Sequence, residues 1–179
     1  PGGMRSEVVP RHPERSNPQQ KRVIIFSPHP DDDIISMGGT FIRLHEQGHD
    51  VHVGYQTSGN IAVSDEFVMR QIDFAVEFDS IFGIDKSRAN TIWENAREFI
   101  KTKKSYQKDA DEIREIKGLI RRTEARATCR YVGIKDENIH FMNLPFYETG
   151  LIEKNPPSDA DVEITKQLIK KIKPHQIFA

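Results

Sequence analysis

The sequence predicts an α/β domain with a mostly parallel sheet that is flanked by helices and connected by right-handed crossovers. Two observations support this prediction. Short apolar segments typical of strands alternate with longer segments in which apolar residues recur at helical spacing. The first strand, Val23 to Phe26, is continuously apolar and rich in β-branched residues, as expected for a strand that is buried on both faces.

The remaining elements follow in order along the chain. We predict a helix from Ile34 to Gln47 that ends at Gly48, followed by a strand from Asp50 to Thr57 in which apolar and polar residues alternate. The same criteria predict four more helices and two more strands. The helices cover residues 65–82, 92–100, 109–132 and 160–172, and the strands cover residues 138–144 and 176–178.

Two of the predicted helices have apolar residues that we expect to face the core. Trp93, in a third helix, is also expected in the core rather than in a sugar-binding platform. In the second helix these residues are Phe67, Ile72, Phe74, Ala75, Phe78 and Phe82, and in the fourth they are Ile113, Ile116, Ile120, Ala127 and Tyr131.

Composition limits the class of protein. The 179 residues suit one globular domain, and the net charge of −1 gives no electrostatic reason to expect a nucleic-acid partner. The sequence has no apolar run of about 18 residues, so we expect no membrane partner. The single cysteine, Cys129, excludes an internal disulfide and favours a reducing compartment such as the cytoplasm. We expect Cys129 to be a packing residue.

The chain divides into two parts. Residues 1–21 are rich in proline and polar side chains, which is typical of a linker or tether. Residues 22–179 contain all the predicted strands and helices and form the α/β domain. Because the chain begins with Pro1 rather than methionine, we expect it to be a fragment or a processed form of a longer protein.

The junction between the first strand and the first helix carries the residues with the clearest chemistry. His29 is flanked by prolines and followed by three consecutive carboxylates, Asp31, Asp32 and Asp33. His29 and Asp32 are three residues apart, so on helix-like backbone they project to one side, and imidazole and carboxylate are common zinc ligands. The alternative is that the aspartates only cap the helix, but a cap does not require His29. The pattern therefore favours a metal site.

The segment Ser27 to Asp33, followed by Gly38-Gly39, resembles the His-Pro-Asp-Asp-Glu signature of the LmbE-like/PIG-L family. The resemblance implies a Rossmann-like fold and zinc-dependent N-deacetylation of N-acetylglucosamine conjugates and related amides. It implies His29 and Asp32 as metal ligands and Asp31 as the general base. Asp33 stands where the family usually has glutamate. The chain is most similar to the LmbE-like module that follows a deaminase-like domain in bacterial glucosamine-6-phosphate deaminase-like fusion proteins.

The resemblance also implies two substrate-binding residues. It places the loop that contains Asn60 beside the site, where its amide could bind a sugar hydroxyl, although an ordinary turn is an equal alternative. The family has an Arg-x-x-Glu arrangement whose arginine faces the substrate. Arg121 and Glu124 match it, so Arg121 is a candidate substrate contact, although a surface ion pair is an equal alternative.

The implied metal site is incomplete within this sequence. A catalytic zinc ion normally has three protein ligands, and the resemblance implies a histidine in the loop after the fourth strand, which would follow Ala179. We therefore expect a domain truncated at its carboxyl end, with residues 1–179 inactive on their own. Fe²⁺ could replace Zn²⁺.

Two other functions remain open. The first is a non-catalytic sugar-binding or regulatory module fused to a deaminase-like domain. The second is a magnesium-dependent phosphohydrolase, because clustered aspartates also suit a hard cation. The sequence does not specify the oligomeric state or which amino sugar is bound.

Overall fold

A computed structural model describes residues 19–84, 87–149 and 153–179 of the chain. Within them, four parallel strands form one sheet in the order β3-β2-β1-β4. The predicted α/β fold is therefore confirmed. Most of the predicted linker, residues 1–18, lies outside the described residues. The strands are β1 (Arg22–Ser27), β2 (Asp50–Tyr55), β3 (Ile139–Phe141) and β4 (Gln176–Phe178).

The described helices begin and end close to the predicted positions, except that the third begins five residues earlier. Glycines end two of them, because Gly83 and Gly133 adopt left-handed φ values of 64° and 99°. None of these helices is long and apolar enough to cross a membrane. The helices are α1 (Asp32–Glu46), α2 (Asp65–Phe82), α3 (Ser87–Thr102), α4 (Asp111–Val132) and α5 (Asp159–Ile172).

The strand β3 is shorter than the predicted segment 138–144. The chain continues beside β2, because the Met142 amide donates to the Tyr55 carbonyl (2.8 Å) and the Leu144 amide to that of Gln56 (2.8 Å). Between these bonds Asn143 has a φ of 47°, a left-handed conformation that interrupts an extended strand. The prediction of the strand was therefore right in position but wrong in length.

The sheet is covered on both faces. The helices α1 and α4 pack on one face, where Phe41 and Leu44 of α1 and Cys129 of α4 are fully buried. The prediction that Cys129 is a packing residue is confirmed. The helix α5 packs on the other face through Leu168 and Ile172. A second apolar cluster joins α2, α3 and α4, and the partly buried Trp93 packs against it.

The predicted core faces of α2 and α4 are partly wrong. The buried residues of α2 are Val68 and Ile72. The aromatic residues Phe74, Phe78 and Phe82 lie on a different side of the helix. The helix α4 packs against α2 and α3 near its beginning and against the sheet near its end, so no single stripe is buried along its length. The wrongly predicted residues are exposed: Phe74 (66%), Phe78 (43%), Phe82 (65%), Tyr131 (88%) and Ala127.

Candidate functional site

The candidate site lies where β1 ends and α1 begins, at the carboxyl edge of the sheet. The corner is a tight turn in which the Asp31 amide donates to the His29 carbonyl (2.8 Å) and the Ile34 and Ile35 amides donate to the Asp31 carbonyl (3.1 and 3.0 Å). Asp31 precedes the first helical residue, but its side chain makes no capping hydrogen bond. Helix capping therefore does not account for the presence of an aspartate at position 31.

His29 and Asp32 are brought together as the sequence predicts. Nδ1 of His29 lies 3.0 Å from Oδ2 of Asp32, and the same oxygen accepts from the His29 amide (3.0 Å). Both side chains are partly exposed and line a cleft of about 700 Å³ that extends to Phe178 at the end of β4. Two ligands that share one tetrahedral zinc ion at about 2.1 Å lie roughly 3.4 Å apart, close to the separation of this pair. The pair therefore fits two positions on one divalent metal ion.

No group of three or more histidine, cysteine, aspartate or glutamate residues in the described part of the chain could hold a metal ion. His29 and Asp32 thus supply two donors where a catalytic zinc ion usually has three protein ligands.

The side chain of Asp31 contacts α4. Its Oδ2 lies 2.8 Å from Nη2 of Arg121, whose Nη1 lies 3.0 Å from Oε2 of Glu124. The Arg121 side chain is only 16% exposed, and its buried Nε has no hydrogen-bond partner. Arg121 therefore contacts the candidate base and its own helix rather than forming the exposed ion pair with Glu124 alone.

The approach of Arg121 depends on a glycine in the loop after β2. Gly59 has a φ of 64°, and a Cβ atom built there would lie 2.9 Å from Cδ of Pro30 and 3.3 Å from Nε of Arg121. Any side chain at this position would therefore push Pro30 of the corner and Arg121 apart.

Asn60 is buried and already bonded. Its Nδ2 donates to Oε2 of Glu148 (3.1 Å), and the Ser58 amide and hydroxyl donate to the same carboxylate (2.9 Å each). These groups line a polar cavity of about 250 Å³ that Arg114 also lines. Sugar binding by Asn60 remains a prediction. Sequence reasoning did not single out Glu148.

Tyr147, in the same loop, lies beside His29. The two rings meet edge to face with their centroids 5.6 Å apart, and Nζ of Lys154 lies 3.7 Å above the tyrosine ring. Burial raises the pKa of Tyr147, and the neighbouring Glu148 raises it further. The phenol therefore keeps its proton and packs against the His29 ring.

Asp33, the third carboxylate, is buried beneath the corner. It is 2% exposed, its Oδ2 accepts from the Tyr55 hydroxyl (2.8 Å), and its amide donates to Oγ of Ser27 (3.0 Å). Burial raises the pKa of Asp33, although the bonds from Tyr55 and Ser27 partly offset this. No sequence pattern indicated that this aspartate lies in the core.

The chain is similar to a known protein family and to a curated protein. The family described as "PIG-L: GlcNAc-PI de-N-acetylase" matches residues 24–179. A curated protein of Bacteroides thetaiotaomicron, named a glucosamine-6-phosphate deaminase-like protein, is 53% identical over 179 residues. The match covers 99% of this chain but only 27% of the length of that relative.

Proposed function

Because the chain belongs to the PIG-L family, we propose that it removes the acetyl group from an N-acetylated amino sugar, using a divalent metal ion and acting as part of a longer protein. The observation that carries this proposal is the His29–Asp32 pair, whose Nδ1 and Oδ2 atoms lie 3.0 Å apart at the carboxyl edge of the sheet. In open α/β sheets this edge is where ligands bind.

His29 and Asp32 would hold the metal ion. The nitrogen donor of His29 favours zinc or iron over magnesium, which prefers oxygen ligands. A zinc ion, when bound, supplies Lewis acidity that activates water and polarises the amide carbonyl. We propose that a histidine that follows residue 179 in the complete protein is the third ligand.

Asp31 would act as the general base. Its carboxylate accepts a proton from the attacking water and returns one to the nitrogen of the leaving amine as the C–N bond breaks, so that acetate and a free amine are released. The Arg121 guanidinium, 2.8 Å away, holds this carboxylate in place. We therefore propose that Arg121 positions Asp31 and also contacts the sugar directly.

The remaining assignments concern the longer protein. We propose that residues 1–21 link this domain to a deaminase-like domain in a cytoplasmic protein. The name of the Bacteroides relative, which is much longer than this chain, supports such a fusion.

A pair of isosteric substitutions in the full-length protein tests the proposal. Asp31→Asn should retain the metal but lose about 10²–10⁴-fold in deacetylation rate, whereas Asp32→Asn should lose the metal because it removes a ligand. Elemental analysis and acetate release from N-acetylglucosamine derivatives measure the two effects. Loss of metal from Asp31→Asn would show that the two roles are exchanged.

The wild-type protein tests the alternatives in the same experiment. A full-length protein that contains magnesium would favour a phosphohydrolase. One that binds no metal but does bind an amino sugar would favour a sugar-binding module.

A further inference from the structure

We propose that Tyr55 and Asp33 are positioning residues that hold the metal-binding corner in shape from beneath. This inference rests on the proposed metal site at His29 and Asp32. It assigns a purpose to a buried carboxylate and a buried phenol that take no part in the proposed chemistry.

The hydroxyl of Ser27 connects the two ends of the corner. Its Oγ donates to the His29 carbonyl (2.6 Å) and accepts from the Asp33 amide (3.0 Å). Asp32 lies between these two contacts. The Ser27 side chain therefore bonds the backbone of His29 directly and the backbone of the residue that follows Asp32.

The side chain of Asp33 is held in the core by a hydrogen bond. Its Oδ2 accepts from the Tyr55 hydroxyl at 2.8 Å, and the two residues are 2% and 0% exposed. The Tyr55 oxygen also lies 3.3 Å from Sγ of Cys129. Burial raises the pKa of Cys129 to about 11, so the thiol keeps its proton and can donate to that oxygen.

This arrangement ties the corner to β2 and α4. A buried carboxylate is costly unless its oxygens are hydrogen-bonded, so the Tyr55 hydroxyl fixes where Asp33 can sit. If that bond is lost, the carboxylate must turn towards water, and its own backbone is one residue from Asp32. Groups that orient ligands in this indirect way affect metal affinity as well as stability.

The length of the side chain at position 33 is matched to Tyr55. A glutamate there would be longer by one methylene group, about 1.5 Å, and would force its carboxylate against the Tyr55 hydroxyl, which is already 2.8 Å away. Removal of that hydroxyl would make room. Because Asp33→Glu and Tyr55→Phe disrupt the same contact, their effects on zinc affinity should be less than additive.

The test measures zinc affinity in the full-length protein by competition with a chromophoric chelator, together with the melting temperature of the metal-free protein. Tyr55→Phe should weaken zinc binding at least tenfold, at the lower end of the effect of removing a partner of a metal ligand. Val53→Ala is the control, because Val53 is fully buried two residues away on β2. It should lower the melting temperature but leave zinc affinity unchanged.

The outcomes separate this inference from the proposed function. If the wild-type protein binds no zinc or other divalent metal, the proposed function fails. If it binds zinc and Tyr55→Phe binds it within twofold of wild type, the positioning role is overturned while the proposed function stands. Asp33→Glu alone should also weaken zinc binding, and Asp33→Glu combined with Tyr55→Phe should lose less affinity than the sum of the two single losses. A fully additive loss in the double variant would overturn the match between the two side chains.

Discussion

Substitution of Arg121 by methionine separates its contribution to stability from its contribution to catalysis. Methionine keeps an apolar stem but removes the guanidinium, whose nitrogens lie 2.8 Å from Asp31 and 3.0 Å from Glu124. The arginine side chain is 16% exposed, whereas the two carboxylates are 44% and 47% exposed. Water can therefore hydrate both carboxylates once the arginine is gone.

The size of the effect follows from these exposures. Exposed ion pairs contribute about 0.2–1 kcal/mol each, and hydrogen bonds to charged groups contribute about 1.5–3 kcal/mol when buried. Because Arg121 is mostly buried but its partners are not, we expect Arg121→Met to lower the free energy of unfolding by about 1–2 kcal/mol. At roughly 2–4 °C per kcal/mol for a domain of this size, the melting temperature should fall by about 2–8 °C.

Catalysis should suffer more than stability. Without the guanidinium the Asp31 carboxylate loses its fixed position, and misplacement of a reacting group by about 1 Å can cost on the order of 10²-fold in rate. We expect kcat/KM of the full-length protein to fall about 10–100-fold. Arg130→Met on the same helix is the control, because Arg130 makes an exposed pair with Asp136; neither activity nor melting temperature should change.

Steady-state kinetics and thermal denaturation of the same preparations give the answer. A lower melting temperature with unchanged kcat/KM per folded molecule would refute the positioning role and make Arg121 a structural residue. An increase confined to KM would instead support a direct contact with the substrate.

Two further predictions concern charged groups outside the site. Lys117 is 5% exposed and lies 2.7 Å from Asp65 and 2.8 Å from Asp109. Lys103 also contacts both carboxylates, so Lys117→Met should lower the free energy of unfolding in urea by about 2–3 kcal/mol, less than the roughly 3–5 kcal/mol for a buried charge that loses its last partner. His140 lies 3.1 Å from His52, and burial, followed by the charge of His52, lowers the pKa of His140 from 6.5 to about 4. The folded state binds this proton less tightly than the unfolded state. The protein therefore has its full stability above about pH 6.5 and loses stability as the pH falls towards 4. His140→Gln should remove part of this loss in melting curves measured between pH 7 and 4.

Local patterns were sufficient to predict the order of the elements and the central pair of the site. The contact between His29 and Asp32 joins residues three apart on a stiff turn, so the spacing alone indicated it. The glycines after α2 and α4 were equally local signals, because they adopt the left-handed conformations that end those helices. Such features depend on few neighbours and are readable from one sequence.

Contacts between distant residues could not be predicted in the same way. Arg121 reaches Asp31 and Glu148 binds Ser58 across 90 positions each, and only the packing of α4 and of the loop after β3 brings them close. The prediction that the aromatic residues of α2 face the core was wrong for a related reason. The helix carries two apolar stripes, and periodicity does not say which one the neighbouring helices cover.

The three consecutive aspartates show how one short motif can serve three purposes without strong repulsion between its charges. Side chains at the start of a helix are rotated by about 100° per residue, so neighbouring carboxylates must point in different directions. Asp31 faces Arg121, Asp32 faces His29, and Asp33 faces Tyr55 in the core. Each charge or polar group has its own partner. The fold thus gives each aspartate a different partner. Identical residues here should therefore respond differently to the same substitution.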